Sequence, residues 1–238
     1  TESSFDSENN DSESTGALYL VRLGVVAFDT FTRLQSRIDS SNVILAWSTE
    51  TSDTAPTLEH YVNADIDGVS ADNLSDVNTQ LQSRNLTDMS DVQPFVDAVN
   101  KVLAYTAGTR EDIAVNDYFL SGITGVTEDN AEVLHRYVYG QSQTFTQIQE
   151  LVTQADYLLV LINYSANASN NDEPEGTDYR GAGIAAATDD DVGDYNRELV
   201  NQSTKLDLAN IADVDAEAKI QALVEAINTL DDYATGPN

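Results

Sequence analysis

Three nine-residue stretches decide the fold of this chain: VQPFVDAVN at 92–100, IQELVTQAD at 148–156 and IQALVEAIN at 220–228. In each stretch the first, fourth, fifth and eighth residues are apolar. Spacings of three and four residues place these side chains on one face of an α-helix. We name this predicted element helix B. Its recurrence predicts an internal repeat, and the inferences on fold and function start from that repeat.

A second predicted helix, helix A, precedes each helix B. Each copy has a tyrosine with a hydroxyl residue nine positions later; the pairs are Tyr61 and Ser70, Tyr118 and Thr127, and Tyr179 and Thr188. Serine and threonine cap helix N-termini, and the acidic or amide side chains that follow suit a first helical turn. An apolar stripe comes next, formed by Leu74, Val77 and Leu81, then Ala131, Leu134 and Val138, then Val192, Tyr195 and Leu199.

The pattern predicts an all-α fold built as an array of about three and a half helical hairpins. The N-terminal segment is interpreted as a half-copy, because Phe31, Leu34 and Ile38 lie nearly in the phase of helix B. A lone hairpin buries its apolar stripe poorly, whereas stacked neighbours bury it well. The predicted divisions are an acidic polar arm at 1–16, an apolar helix with the half-repeat at 17–56, repeats at 57–110 and 111–164, an exposed loop at 165–183, and a third repeat with the C-terminal tail at 184–238.

The segment before the half-copy is apolar nearly all round. It contains Leu18, Leu20, Val21, Leu23, Val25, Val26 and Phe28. One interpretation is a central core helix; the other is a docking element between subunits, because a repeat array without a polar capping repeat invites another molecule. A head-to-tail contact that does not close yields a filament. This segment and residues 157–163 are also compatible with β-strands, which would permit strand donation between subunits.

Composition excludes several classes of function. The chain has 41 Asp+Glu against 11 Lys+Arg, a formal net charge of −30, and no cysteine. Nucleic acids and anionic membranes are bound through Lys/Arg clusters, so neither is an expected partner. Without cysteine there is no disulfide, thiolate metal site or cysteine nucleophile. No apolar stretch reaches the roughly 18 residues of a membrane span. Many short carboxylates keep a protein hydrated in salt, which is typical of a marine or halophilic source.

One segment resembles a metal site. Asn63, Asp65 and Asp67 precede Gly68 as oxygen ligands do in the first half of a calcium loop. The glutamate that closes such a loop is absent, because Leu74 holds the twelfth position counted from Asn63. A turn followed by a helix N-cap therefore competes with calcium as the interpretation. No other cofactor is predicted.

The sequence offers few candidates for catalytic residues or for sites of covalent modification. The chain has no nucleophile elbow, phosphate-binding loop or dinucleotide motif, and no histidine in a catalytic constellation, so we expect no enzyme and no catalytic residue. The sequence Asn-x-Ser/Thr, in which asparagine can be glycosylated in secreted proteins, occurs six times. Asn73 and Asn201 lie on predicted helices, which leaves four candidates. They are Asn10, Asn85, Asn163 and Asn167.

Two strings carry a resemblance: GVSADNL at 68–74 behind Tyr61, and IQALVEAIN at 220–228. They resemble short helical repeats that occur in tandem in large secreted surface proteins and adhesins of marine bacteria. The resemblance covers residues 57–233 and departs in the third copy, where Ala186 replaces the glycine of the other two. It implies an extracellular, non-enzymatic scaffold at the cell surface. A cleaved secretory signal is one explanation of a chain that starts at Thr1 without methionine.

Together these features predict a secreted structural subunit that self-assembles head-to-tail into a surface filament, tube or layer. Its expected partners are other copies of itself, with divalent cations as a further partner and without membrane insertion. A monomeric spacer or binding module of a larger adhesin is the alternative. The third hypothesis is a polysaccharide-active enzyme.

Overall fold

The computed structural model describes the backbone of residues 11–82, 84–206 and 216–235, and the side chains of 29–82, 84–205 and 216–231. About 67 % of the chain is helical, and the described residues contain no strand. The all-α prediction is therefore confirmed. The strand alternative is wrong for residues 18–28 and 157–163, because both continue long helices whose backbone amides bond within the helix.

Ten α-helices and one 3₁₀ turn follow one another along the described residues. They are α1 (Asp11–Ser48), α2 (Leu58–Asn63), α3 (Leu74–Leu81), the 3₁₀ turn (Met89–Asp91), α4 (Val92–Thr106), α5 (Val115–Ser121), α6 (Glu128–Val138), α7 (Phe145–Ala166), α8 (Gly176–Gly181), α9 (Val192–Leu206) and α10 (Ala216–Thr235).

The predicted pairs of helices A and B are found at α3 and α4, α6 and α7, and α9 and α10. Their apolar stripes are buried or half-buried, as the spacing predicts. A capping box begins α7: the Thr144 amide donates to Gln147 Oε1 at 2.9 Å, and the Gln147 amide donates to Thr144 Oγ1 at 3.3 Å.

Helix A begins as predicted in one copy and later in the other two. Thr127 is the N-cap of α6, and its Oγ1 accepts from the Asn130 amide at 3.3 Å. In the first and third copies, a turn of three residues separates Ser70 and Thr188 from the helix. The predicted starts of α3 and α9 were therefore three residues too early.

The chain divides into two compact units, Thr1–Val96 and Asp97–Asn238. The division falls within α4, inside the predicted 57–110 repeat. In the first unit α1 packs against α2. In the second unit α7 packs against α6, α8 and α9, and α9 packs against α10. Helix α7 thus contacts helix A of its own copy and two helices of the following copy.

Each copy also contains a short helix that the periodicity did not predict. These helices, α2, α5 and α8, carry Tyr61, Tyr118 and Tyr179, each 0 % exposed. The third of them lies in the segment 165–183, which we expected to be an exposed loop. There α7 continues to Ala166, and Pro174 is buried together with Tyr179. The segment is partly buried because its helix places Tyr179 in the core.

The same turn ends all three short helices. The amides of the isoleucines five residues after each tyrosine donate to the tyrosine carbonyl at 2.9 Å; they are Ile66, Ile123 and Ile184. The residue just before each isoleucine has a positive φ, at Asp65 (57°), Gly122 (107°) and Gly183 (92°). This is a helix C-cap of the Schellman type, which needs one left-handed residue. The turn sends the chain towards helix A and buries the isoleucine.

Candidate assembly surface

The longest helix, α1, is buried at its C-terminal end and exposed over the residues that precede this end. It has 38 residues, roughly 57 Å at about 1.5 Å per residue, and contains no proline that would interrupt it. Near its C-terminus Ser40, Ile44 and Ser48 are buried. Over residues 29–39 every side chain is exposed except Ser36, which is half-buried. The described contacts of α1 therefore involve mainly its last three turns.

An apolar face lies on this exposed stretch. Phe31, Leu34 and Ile38 are 66 %, 55 % and 46 % exposed, and their spacing of three and four residues puts them on one side of the helix. We call these three residues the α1 apolar face. Leu34 also lines a groove together with Val62 of α2, which is itself exposed. Three large apolar side chains on one helix side form a contiguous surface of the kind that partners cover.

The other copies show what this face lacks. Phe31 and Ile38 occupy the first and eighth positions of the helix B pattern. In the other three helices these two positions are buried, at Val92 and Val99, Ile148 and Ala155, and Ile220 and Ile227. In the second unit helix A packs against helix B of the same copy. Among the described residues no helix A covers the α1 apolar face, and its side chains are exposed.

Positive charge borders the α1 apolar face. Between residues 16 and 39 the sequence has Arg22, Arg33 and Arg37 against Asp29 and Asp39, in a chain of net charge −30. Arg37 Nη1 lies 2.6 Å from Asp65 Oδ2, and both side chains are more than half exposed. Such an ion pair contributes little to stability because water screens it. The arginines leave this part of α1 cationic relative to the rest of the protein.

The predicted interface residues Leu18, Leu20, Val21, Leu23, Val25, Val26 and Phe28 lie on α1, directly before the α1 apolar face. Their backbone is helical, and their side chains lie outside the described residues. Whether these side chains form an interface stays a prediction.

The predicted calcium residues take part in a turn. Asp65 has a left-handed backbone and pairs with Arg37. The Asp67 amide donates to Gln93 Oε1 at 2.8 Å, and Gln93 Nε2 donates back to the Asp67 carbonyl at 3.2 Å. Asn63 is the last residue of α2.

The second copy makes the same turn without acidic residues. There the Thr124 amide donates to Gln149 Oε1, and Gln149 Nε2 donates to the Thr124 carbonyl, both at 2.9 Å. The turn therefore accounts for the geometry around Asp65 and Asp67. In the described part of the chain no group of three His, Asp or Glu side chains could hold a metal ion. Calcium binding at these residues stays a prediction.

Three glycosylation candidates lie on the surface of the described structure. Asn85, Asn163 and Asn167 are exposed, and Asn85 has a left-handed backbone with φ 55°. Asn167 follows the last residue of α7, and its Oδ1 accepts from Ser169 Oγ at 2.9 Å. Asn10 lies outside the described residues. Attachment of glycans to any of them stays a prediction.

An acidic groove lies in the third copy, lined by Glu173, Glu175 and Asp189 among others. Arg180 Nη1 lies 2.9 Å from Asp189 Oδ1, so one of these carboxylates is already paired. Gly176 is tightly packed there, because a Cβ on it would lie 2.0 Å from Asp189 Oδ1. The groove presents negative charge.

Sequence reasoning missed a hydrogen-bond chain around the buried tyrosines. Tyr61 Oη donates to Asn78 Oδ1 at 2.7 Å, and Asn78 Nδ2 donates to the Pro56 carbonyl at 2.7 Å. The third copy repeats the chain through Tyr179, Asn196 and Pro174, at 2.7 and 2.8 Å. A proline five residues before the tyrosine and an asparagine seventeen after it are the signal that could have found it.

The second copy has a different arrangement at these positions. His135 replaces the asparagine, and its ring stacks on Tyr118 with 5.8 Å between centroids and lies 5.4 Å from the ring of Tyr105. Neither Tyr118 Oη nor His135 Nε2 has a hydrogen-bond partner in the protein. Burial lowers the pKa of His135, with Glu132 acting in the opposite direction. Burial raises the pKa of Tyr118, so its hydroxyl is protonated at neutral pH.

Two further findings bear on the class of protein. Over the described residues, no helix has both the length and the apolar character needed to cross a bilayer. In comparisons with known proteins, the chain matches no family model, and no curated protein or solved structure matches it.

Proposed function

We propose that this protein is an extracellular structural subunit that self-assembles head-to-tail into a filament, tube or layer at the cell surface. The observation that carries the proposal is the α1 apolar face. Its first and eighth pattern positions are buried in every other helix B and exposed here. A protein that uses one repeat pattern four times and leaves one face uncovered has a surface suited to a second molecule.

Apolar burial supplies the driving force in this proposal. Each of Phe31, Leu34 and Ile38 contributes about 1.5–3 kcal/mol when it passes from water to a fully buried site. Much of that gain offsets the translational and rotational entropy lost on association. Residues 18–28 lie directly before this face on the same helix and add apolar side chains to the proposed contact.

The large negative charge sets the conditions for assembly. Subunits of net charge −30 repel one another at low ionic strength. At physiological salt the Debye length is about 8 Å, so repulsion between distant carboxylates is screened while apolar contact is not. Assembly is therefore expected to strengthen with salt or divalent cations. A secreted protein in saline surroundings would meet those conditions, in keeping with the composition and the resemblance to marine surface repeats.

Sedimentation velocity and negative-stain microscopy test the proposal across a range of salt concentrations. We expect large assemblies at high salt and smaller species when salt is removed. A monodisperse monomer at high protein concentration and high salt would contradict the proposal and favour the alternative, a monomeric spacer or binding module of a larger adhesin.

Two variants separate docking from folding. Val25→Asp places a charge on the predicted interface and is expected to block assembly while circular dichroism stays unchanged. Val160→Asp is a matched control, because Val160 is a valine on α7 that is 39 % exposed and outside the proposed contact. If Val25→Asp instead unfolds the monomer, residues 18–28 form a core helix and the docking role is wrong.

A further inference from the structure

A second uncovered position lies on α10, the helix B of the third copy. Leu230 stands ten residues after the first position of the pattern and is 67 % exposed. The corresponding residues of the other two copies are Val102 in α4 and Leu158 in α7, which are 0 % and 2 % exposed. The position is therefore an internal one in two copies and an external one in the third.

Helix α7, the counterpart of α10 in the second copy, packs against helices of two copies. Helix α7 packs against α6 of its own copy and against α8 and α9 of the following copy. The described contacts of α10 include packing against α9. In the second copy, helix B (α7) contacts the copy that follows it. In the third copy, helix B (α10) carries the exposed Leu230. In the second and third copies helix A packs against helix B, whereas the α1 apolar face is exposed.

Charge favours pairing of these two surfaces over pairing of either with itself. Helix α10 carries Glu217, Glu225, Asp231 and Asp232 against Lys219 alone. Residues 16–39 of α1 carry three arginines against two aspartates, and one of the arginines, Arg37, pairs with Asp65. Two copies of α1 would bring their arginines together, and two copies of α10 would bring their carboxylates together. A contact of α1 with α10 joins opposite charges around an apolar centre.

We infer that the α1 apolar face of one subunit docks on α10 of a second copy beside Leu230, so that the junction between chains continues the packing that joins the second copy to the third within a chain. This inference rests on the proposed function and names the two surfaces that meet. Because the two surfaces differ, the contact is heterologous and propagates from subunit to subunit.

Disulfide mapping tests this contact, since the chain has no cysteine of its own. Leu34→Cys and Leu230→Cys are made in separate full-length chains, one of them carrying a size tag. Both side chains are more than half exposed, so the substitutions are expected to leave folding intact. The chains are mixed under assembly conditions, oxidised and separated without reductant. We expect the mixed 34–230 dimer at least tenfold above the dimers that either variant forms alone.

Val160→Cys replaces each partner in turn as the matched control and is expected to give only background cross-linking. Microscopy of the same samples separates the two possible failures. Assemblies that form without the 34–230 disulfide, or with 34–34 as the main product, would overturn this contact and leave the proposed function standing. Wild-type protein that stays monomeric under the same conditions would overturn both.

Discussion

Tyr61 and Tyr118 occupy the same place in successive copies of the repeat, and both rings are fully buried. Tyr61 donates a hydrogen bond of 2.7 Å to Asn78, and Tyr179 does the same to Asn196 in the third copy. Tyr118 meets His135 at the corresponding position and has no hydrogen-bond partner. Three copies thus share a buried ring, and only two share its hydrogen bond.

The difference separates two contributions to the repeat. Backbone geometry around the tyrosine is the same in all three copies, since the isoleucine amide five residues later donates to the tyrosine carbonyl at 2.9 Å in each. Ring burial and this turn therefore suffice for the local fold. The side-chain hydrogen bond adds stability and satisfies a buried hydroxyl, and a copy can form without it at the cost of an unpaired polar atom.

The largest expected effect comes from removing the ring that the copies share. Tyr179→Ala is expected to lower the free energy of unfolding by about 3–5 kcal/mol, because it leaves a cavity in a fully packed site. Tyr118→Ala is expected to cost about as much, since its ring is equally buried. Urea unfolding followed by circular dichroism measures both. A cost for Tyr118→Ala below half that of Tyr179→Ala would show that ring burial is not the shared contribution.

The repeat of helices was predictable from sequence because periodicity reports one face of a helix. The apolar stripe of Ala131, Leu134 and Val138 predicts the helix that the structure shows as α6. The short helices were not predicted, since six or seven residues such as Gly176–Gly181 are too few to show a period. Their place in the core depends on one tyrosine each, which a stripe analysis does not weigh.

The candidate surface was predicted in part. The sequence predicted residues 18–28 as either a core helix or a docking element, and that choice stays open. Exposure of Phe31, Leu34 and Ile38 needed the structure, because their phase alone predicts burial. The exposure of Leu230 was not predictable from the sequence either, since an apolar residue in the phase of Leu158 is expected to be buried. Uncovered faces are defined by the absence of a neighbour, and periodicity does not record neighbours.

A smaller effect comes from removing the hydroxyl alone. Tyr179→Phe is expected to cost about 1–3 kcal/mol, because it leaves the buried Asn196 amide oxygen without its donor. Tyr118→Phe is expected to be neutral or to stabilise the protein by up to about 1 kcal/mol, since it removes a buried hydroxyl that has no partner. Both substitutions keep the ring, so each serves as the control for the other. Equal losses in thermal or urea unfolding would mean that Tyr118 has a partner after all.

A third substitution transfers the hydrogen bond to the second copy. In a His135→Asn background the cost of Tyr118→Phe is expected to rise to about 1 kcal/mol, because asparagine can accept from the hydroxyl as in the other copies. The double-mutant cycle measures this change independently of the stacking lost with the histidine ring. In the matched cycle, Asn196→His is expected to remove a coupling of similar size between Tyr179 and residue 196. No coupling in the His135→Asn background would show that the second copy holds its tyrosine in another geometry.

The smallest effect is the pH dependence that comes from His135, which replaces the asparagine of the other two copies. Burial lowers the pKa of His135 in the folded protein, so the unfolded chain takes up the proton more readily. Between the ordinary histidine pKa of about 6.5 and the lower folded pKa, the unfolded state therefore binds more protons. His135 is only partly buried and Glu132 opposes the shift, which keeps the effect below those of the substitutions above.

The stability of wild type relative to His135→Asn is accordingly expected to fall as the pH drops from about 7 to 5. Urea unfolding of both proteins over this range measures the difference, and the titration of the many carboxylates, which they share, cancels in it. A difference that does not change with pH would place the histidine ring in contact with water. A difference that grows in favour of wild type at low pH would mean that Glu132 outweighs burial and holds the imidazolium.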